Sequence, residues 1–203
     1  MRPVIRTTTE GDTEAMLAIY TPVVNETAIS FETEPPTFGE FRQRILDTSK
    51  EYPWIVCENE GELLGYAYAN AYRSRPAYRW AVETSVYVDP RYRGRGVGKA
   101  LYLSLLDVLT LQGYLIVYAI ITAPNPASVA LHRSVGFERA AVFERMGFKF
   151  GHWHDVEWWR CDLTKALPDN PSRPLSISEA MGQAGWTHAL TRGLAVLGGT
   201  KNR

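Results

Sequence analysis

The sequence predicts an α/β (α+β) fold in which helices alternate with the strands of one mixed sheet. Two patterns predict it. Short β-branched or alternating segments recur between segments of helical periodicity along residues 4–162, and residues 114–121 form a nearly continuous apolar run, which is typical of a strand covered on both faces. The 203 residues are 45% hydrophobic and 22% charged, as in a globular chain that is able to bury a core.

The first half of the chain is predicted to contain two helices and a hairpin. Asp12 is expected to cap the first helix, and Thr37 with Glu40 has the spacing of a capping box that starts the second. The predicted strands cover residues 4–9, 54–57, 63–68 and 80–88, with residues 59–61 as the hairpin turn.

The second half continues the alternation. A long helix is predicted from Gly96 to residue 111, ended by Gly113, and it is followed by the apolar strand 114–121. A short helix over residues 126–135 stops at Gly136, and two strands close the unit, the last over residues 153–162. These elements predict one domain over residues 1–164.

Residues 165–203 differ in composition and are predicted to lie outside that domain. Pro168, Pro171 and Pro174 indicate an extended linker. Ser176 and Glu179 have capping-box spacing, so one weak, glycine-containing helix is expected after them. Two alternatives stay open for this tail: a loosely docked or disordered end, or a helix that docks on a partner. Its apolar stripe would consist of Ile177, Met181, Ala184, Leu190, Leu194 and Leu197.

Charge and cysteine usage exclude several classes of protein. Lys plus Arg and Asp plus Glu both number 22, so the formal net charge is zero and no nucleic-acid partner is expected. No apolar run reaches the roughly 18 residues that span a bilayer, and no signal peptide is apparent.

Cys57 and Cys161 lie in predicted strands and are expected to be buried thiols of a cytoplasmic protein. His152 and His154 lack a third ligand, so no metal is predicted.

The most informative segment is the Gly/Arg-rich turn over residues 89–100. It joins a strand to a helix, so free backbone N–H groups and four nearby basic residues favour a phosphate or pyrophosphate ligand. It is not a P-loop, since Ala100 follows Gly98-Lys99, and it is not a dinucleotide fingerprint, since Lys99 takes the place of the third glycine.

Arg93-x-x-Gly96-x-Gly98 resembles the acetyl-coenzyme A pyrophosphate loop of the GCN5-related N-acetyltransferases, and Asn125-x-x-Ser128 followed by Gly136-Phe137 resembles their asparagine-containing helix start. The resemblance implies a mostly antiparallel sheet splayed at an acetyl-CoA cleft and flanked by helices, with acetyl-CoA as co-substrate. The coenzyme-binding residues it implies are Val86, Tyr87, Val88, Arg93, Gly94, Arg95, Gly96, Val97, Gly98, Lys99, Asn125 and Ser128.

Within that superfamily, residues 31–35, 75–80, 82–88 and 151–156 resemble the phosphinothricin and methionine sulfoximine N-acetyltransferases. The resemblance covers about residues 4–163 and implies a homodimer that acetylates a small amino-acid analogue. Thr122 departs from the glycine expected in the herbicide-detoxifying enzymes, and it would narrow or rehydrate the pocket. The substrate-binding residues implied are Phe31, Arg73, Arg75, Tyr78, Tyr87, Thr122 and Val156.

Glu83 and His132 are the candidate catalytic residues. Period two places Glu83 with Ser85 and Tyr87 on one face of its strand, where a buried carboxylate is either ion-paired with an arginine or a general base toward an amine. His132 is either a packing residue or, as the family resemblance implies, a proton-handling one. Two other functions stay open: acetylation of a protein N-terminus or polyamine, and a non-catalytic acyl-CoA-binding module.

Overall fold

The computed structural model describes residues 3–197 and has a seven-stranded, open mixed sheet at its centre. The strands run in the order β1-β2-β3-β4-β5-β7-β6, and every neighbouring pair is antiparallel except β4 and β5. The predicted fold class is confirmed. The strands are β1 Val4–Thr7, β2 Trp54–Asn59, β3 Glu62–Ala71, β4 Ala81–Val88, β5 Ile116–Ala123, β6 Glu138–Lys149 and β7 His152–Asp162.

The described residues also form seven α-helices. They are α1 Thr13–Glu26, α2 Phe38–Thr48, α3 Val97–Gln112, α4 Pro126–Ser134, α5 Ile177–Met181, α6 Trp186–Thr191 and α7 Leu194–Leu197, with 3₁₀ turns at Glu10–Asp12, Pro76–Tyr78 and Pro90–Tyr92.

Two hydrophobic clusters attach the helices to opposite faces of the sheet. One packs α1 and α2 against β2 and β3, with Phe41 and Tyr66 fully buried. The other packs α3 against the central strands, with Leu101 and Trp159 at its centre. Cys57 and Cys161 are both buried free thiols, as predicted, and burial raises their pKa values to about 12 and about 11.

Most local signals in the sequence are confirmed. The capping box of α2 forms, since Glu40 N donates to Thr37 Oγ1 at 3.3 Å and Thr37 N donates to the Glu40 carboxylate at 2.8 Å. Glu60 and Gly61 both adopt positive φ in the β2–β3 turn, as a two-residue hairpin requires. Gly96 and Gly113 bound α3, both in the left-handed region.

The cap predicted for α1 is wrong. The Asp12 carboxylate makes no cap hydrogen bond to α1, because it accepts from the Arg6 guanidinium at 2.7 and 2.8 Å and from Thr9 N at 2.7 Å. Asp12 therefore ties β1 to the 3₁₀ turn that precedes the helix.

The tail also differs from the single helix expected. Residues 177–197 form three short helices, α5, α6 and α7, separated near Gly182, Gly185 and Gly193. Trp186 and Ala189 are buried against Val108 of α3. Residues 198–203, which belong to the predicted tail, lie outside the described residues. Within the described part of the chain, no helix is both long and apolar enough to cross a membrane.

Candidate active site

The sheet opens between its two parallel strands. β4 and β5 pair only from Ala81 with Ile116 to Glu83 with Tyr118, and the register ends there. A cavity of about 440 Å³ lies at this opening, beside the end of β4 and the start of α3. It is lined by Val23, Ile29, Val86, Tyr87, Val88, Tyr92, Arg93, Gly94, Gly96, Val97, Gly98, Lys99, Asn125, Ala127, Ser128 and Leu131.

The loop between β4 and α3 has the geometry of an anion site. Asp89 closes the 3₁₀ turn by accepting from Arg91 N at 2.8 Å, and Gly94 and Gly96 then take positive φ, which only glycine adopts without strain. Gly96 is the N-cap of α3, so the first N–H groups of a sixteen-residue helix and its positive dipole end face the cavity wall.

The basic residues of this loop are not equivalent. Arg93 and Lys99 line the cavity. Arg91 pairs instead with Asp89 and Glu62, each at 2.7 Å, and the Arg95 guanidinium lies 5.4 Å from the Tyr92 ring centroid. Arg95 is therefore the one predicted coenzyme-binding residue that does not line the cavity.

The opposite wall is the start of α4. Asn125 caps this helix by accepting from Ser128 N at 3.1 Å, and Pro126 occupies its first turn. Asn125 and Ser128 thus line the cavity from a helix N-terminus that faces the same space as the N-terminus of α3.

Glu83 lies at the apex of the opening, as the last β4 residue that pairs with β5. Burial raises the pKa of its carboxyl group, and the positive charge of Arg73 opposes that shift. Among residues 3–197 no cation lies within ion-pair distance of Glu83, so the ion-pair interpretation does not apply there. Glu83 is half-buried and is not itself one of the residues that line the cavity. A carboxyl group with a raised pKa and no paired cation has the chemistry of a base.

The predicted substrate residues fall into two groups beyond the apex, and of all of them only Tyr87 lines the 440 Å³ cavity. In the first group, the Arg73 guanidinium lies 4.6 Å from the Tyr72 ring centroid and 5.3 Å from that of Trp158, and Tyr78 meets Tyr72 edge-on at 5.7 Å. Arg75 is exposed at the start of the adjacent 3₁₀ turn.

The second group consists of Thr122 on β5, Val156 on β7 and Phe31 in the loop after α1. Thr122 pairs with Val156, and Phe31 approaches Gly147 so closely that a Cβ there would overlap the Phe31 ring. The buried Lys149 ammonium donates to the carbonyl oxygens of Val24 and Ser30, each at 2.7 Å, and so fixes the loop that carries Phe31.

His132 is buried between α3 and α4 and does not line the cavity. Its Nδ1 lies 2.7 Å from the carbonyl oxygen of Ser128, which only accepts, so Nδ1 carries the proton and Nε2 accepts from the Tyr102 hydroxyl at 2.7 Å. Burial lowers the pKa of His132. These contacts suit a packing and positioning role, and the proton-handling role stays a prediction.

Sequence reasoning missed the contributions of distant segments. Val23 and Ile29 reach the cavity from the end of α1 and the loop after it. The Arg73 guanidinium lies against Trp158 of β7, and Tyr118 of β5 stacks on Tyr72, the residue that precedes Arg73. No spacing rule links these positions. Of the missed residues, Lys149 is the one that the sequence could have indicated, because it is a charged residue at the end of a strand that contains aromatic residues. Residues 3–197 contain no cluster of three or more side chains arranged to hold a metal ion.

Residues 5–158 match the family described as the acetyltransferase (GNAT) domain. A phosphinothricin N-acetyltransferase of Streptomyces viridochromogenes is 38% identical over 176 residues, which cover 86% of this chain and 96% of that protein. An L-methionine sulfoximine/L-methionine sulfone acetyltransferase of Pseudomonas aeruginosa is 35% identical over 169 residues, covering 81% of this chain and 98% of that one.

The fold has solved counterparts. A GNAT superfamily phosphinothricin acetyltransferase of Sinorhizobium meliloti, crystallised in complex with acetyl-CoA, superposes with a TM-score of 0.81 at 35% identity, covering 85% of this chain and 94% of that one. The family match, the similar proteins and the fold all agree with the geometry of the site, in which an anion-binding loop at a helix N-terminus lies beside a splayed sheet. The chain belongs to the GNAT family of acetyltransferases.

Proposed function

We propose that this enzyme transfers acetyl from acetyl-CoA to the amino group of a small, anionic amino-acid analogue of the phosphinothricin or methionine sulfoximine type. The observation that carries the proposal is the opening between β4 and β5, which has an anion-binding loop at one end and Glu83 at its apex. The relatives named for these two substrates support the substrate class.

In the proposed complex, acetyl-CoA lies in the cavity with its pyrophosphate at the start of α3 and its pantetheine arm along β4. The N–H groups around Gly96 and Gly98, with Arg93 and Lys99, hold the pyrophosphate. The strand edge at Val86, Tyr87 and Val88 pairs with the pantetheine arm, and a backbone N–H near Val86 or Val88 polarises the thioester carbonyl. Asn125, Ser128, Gly94 and Val97 line the remaining wall.

Glu83 acts as the general base. An amine arrives mostly as ammonium and becomes nucleophilic only after it loses a proton, which Glu83 accepts directly or through water. The amine nitrogen then forms the new bond to the acetyl carbon and the C–S bond breaks. The remaining excess proton on the nitrogen passes to the departing thiolate, so amide and CoA thiol are formed without a covalent bond to the enzyme. Burial suits Glu83 to this step because a raised pKa makes a carboxylate a stronger base.

Acceptor recognition falls to the two groups beyond the apex. Arg73 and Arg75 present planar guanidinium groups to a carboxylate or phosphinate, and Tyr78 adds a hydroxyl. Phe31, Thr122 and Val156 form the apolar side of this pocket, with the Thr122 hydroxyl narrowing it. The enzyme is proposed to be cytoplasmic and without a nucleic-acid or membrane partner, and residues 1–164 are proposed as the catalytic domain.

We also propose a homodimer built on the hairpin of β6 and β7. This hairpin ends the sheet and carries large exposed apolar side chains, among them Trp153 at 61% and Met146 at 63% exposure. Contiguous exposed apolar patches of this kind mark interaction surfaces. The others are Val142, Phe143, Phe148 and Phe150.

A thiol-release assay tests the reaction. Acetyl-CoA is offered with phosphinothricin, methionine sulfoximine, methionine sulfone, ordinary amino acids, spermidine and an alanine-terminated peptide. Faster CoA release with the first three supports the proposal. Preference for the peptide or the polyamine, or no release with any amine while acetyl-CoA binds, contradicts it.

A further inference from the structure

Residues 177–197 of the C-terminal tail pack along one stripe of α3, outside the segment that matches the GNAT family. The tail runs antiparallel to α3, so that α5 lies toward the end of that helix and α7 lies at its start, next to the anion loop. No described residue of the tail lines the cavity.

The closest approach is at Gly193. Its N–H donates to Ser104 Oγ at 3.0 Å, and a Cβ at this position would overlap the backbone of Ala100. The two backbones therefore touch, which requires glycine on the tail and a small residue on the helix. Close packing thus explains why a glycine stands at position 193.

Further contacts follow α3 toward its end. Arg192 pairs with Asp107 at 3.0 Å, Ala189 and Trp186 are buried against Val108, and a Cβ on Gly185 would lie 3.3 Å from the Leu111 side chain. The contacts recur at successive turns of one helix, so they fix both the position and the direction of the tail.

The end of the described tail reaches the anion loop itself. A Cβ on Gly96 would lie 3.4 Å from Val196 Cγ1 and 3.6 Å from Leu197 Cδ2. Gly96 is the N-cap of α3 and lines the cavity, so α7 supports the loop from behind without filling the coenzyme space.

We infer that the tail is a brace that holds residues 93–99 in their anion-binding conformation and thereby sets the affinity for acetyl-CoA. The inference rests on the proposed function of that loop. A loop with two glycines at positive φ loses conformational freedom when it grips a ligand, and a loop ordered beforehand loses less. Val196, Leu197 and Gly193 are accordingly positioning residues.

The test compares equilibrium binding of acetyl-CoA, by calorimetry, in Gly193→Ala, the double variant Val196→Ala/Leu197→Ala, and the wild type. If release of the tail leaves the loop in its binding conformation for about a tenth of the time, the Kd rises about tenfold. Gly182→Ala is the matched control, because a Cβ there meets only the carbonyl oxygen of Glu179 at an ordinary 3.4 Å.

Steady-state kinetics separate bracing from general stability. The brace predicts a higher KM for acetyl-CoA, with kcat and the KM for the amine unchanged, together with faster hydrogen exchange in residues 93–99. Faster exchange of the tail with an unchanged Kd in both variants overturns the inference, as does a lower Tm alone. If the wild type itself fails to bind acetyl-CoA, the proposed function and the brace both fail, whereas an unchanged Kd rejects only the brace.

Discussion

At the scale of single residues, the site depends on the balance between the burial of the Glu83 carboxylate and the positive charge of Arg73. Burial disfavours the charged form of Glu83, and the nearby Arg73 cation favours it. The balance leaves a carboxyl group with a raised pKa and without an ion-pair partner among the described residues. A base is most effective when its pKa approaches the working pH.

Glu83→Gln is expected to lower kcat by about 10²- to 10⁴-fold, the usual contribution of a positioned base, while the Kd for acetyl-CoA barely changes. In the wild type, log kcat/KM should rise with pH through a limb centred above the ordinary pKa of glutamate, because the base must lose its proton first. Rate–pH profiles of both proteins check this, and a Gln variant that keeps the same limb would assign it to another group.

Arg73→Gln is expected to raise the KM for an anionic acceptor and to move the acidic limb of kcat/KM toward higher pH, because the cation that lowers the pKa of Glu83 is gone. Arg79→Gln is the control: that guanidinium lies 5.5 Å from the Trp80 ring centroid and donates to the carbonyl oxygen of Pro76. Equal effects of the two substitutions would refute the assigned role of Arg73.

At the scale of elements, two helix N-termini and a strand edge meet because buried polar contacts join α3 to α4. His132 connects the Tyr102 hydroxyl on α3 to the Ser128 carbonyl on α4, and Ser128 N is in turn capped by Asn125. Phe137 packs edge-on to both aromatic rings. The network sets where the α4 wall of the cavity stands relative to the loop.

This network makes stability depend on pH. The folded state disfavours the charged imidazole of His132, whereas the unfolded chain takes up a proton below about pH 6.5. The contribution of His132 to the free energy of unfolding should therefore be constant above that pH and fall below it, by up to about 1.4 kcal/mol per pH unit. Urea titrations at several pH values over this range should show that the free energy of unfolding of His132→Gln falls less steeply with decreasing pH than that of the wild type.

The same variant separates the two roles of His132. A positioning role predicts a higher KM for acetyl-CoA with an unchanged pH profile of kcat, since the cavity wall shifts. A proton-handling role predicts loss of one limb of that profile, and this result would restore His132 to the catalytic residues.

At the scale of the whole molecule, the apolar edge hairpin of β6 and β7 predicts the assembly. Trp153→Ser should convert the proposed dimer to a monomer in sedimentation velocity, because it removes a large exposed anchor of the proposed contact. Phe38→Ser, on the exposed side of α2 at 51% exposure, should leave the dimer intact. A wild-type monomer at micromolar concentration would exclude the proposed interface.

Features that depend on residues close together in the chain could be predicted from the sequence. Several such features depend only on residues within one or two turns of chain. They are the glycines at both ends of α3, the capping boxes at Thr37 and Ser176, and the alternation that puts Glu83 and Tyr87 on one face of β4. The anion loop could be predicted in the same way, because neighbouring residues at a strand–helix junction supply its N–H cluster. The alternation of helices and strands predicted the fold class, the resemblance of two motifs to the GCN5-related N-acetyltransferases predicted the family, and both are confirmed.

Only the tertiary structure decided what depends on separate segments coming together. Asp12 pairs with Arg6, and Arg91 pairs with Glu62 instead of lining the cavity. Both ring nitrogens of His132 make hydrogen bonds, and Gly193 packs against the backbone of α3. In each case two or more residues could satisfy the same donor, acceptor or apolar surface, and packing chose between them. A chain's periodicity records which face a residue takes, and the neighbour it meets there is set by the geometry of the assembled core.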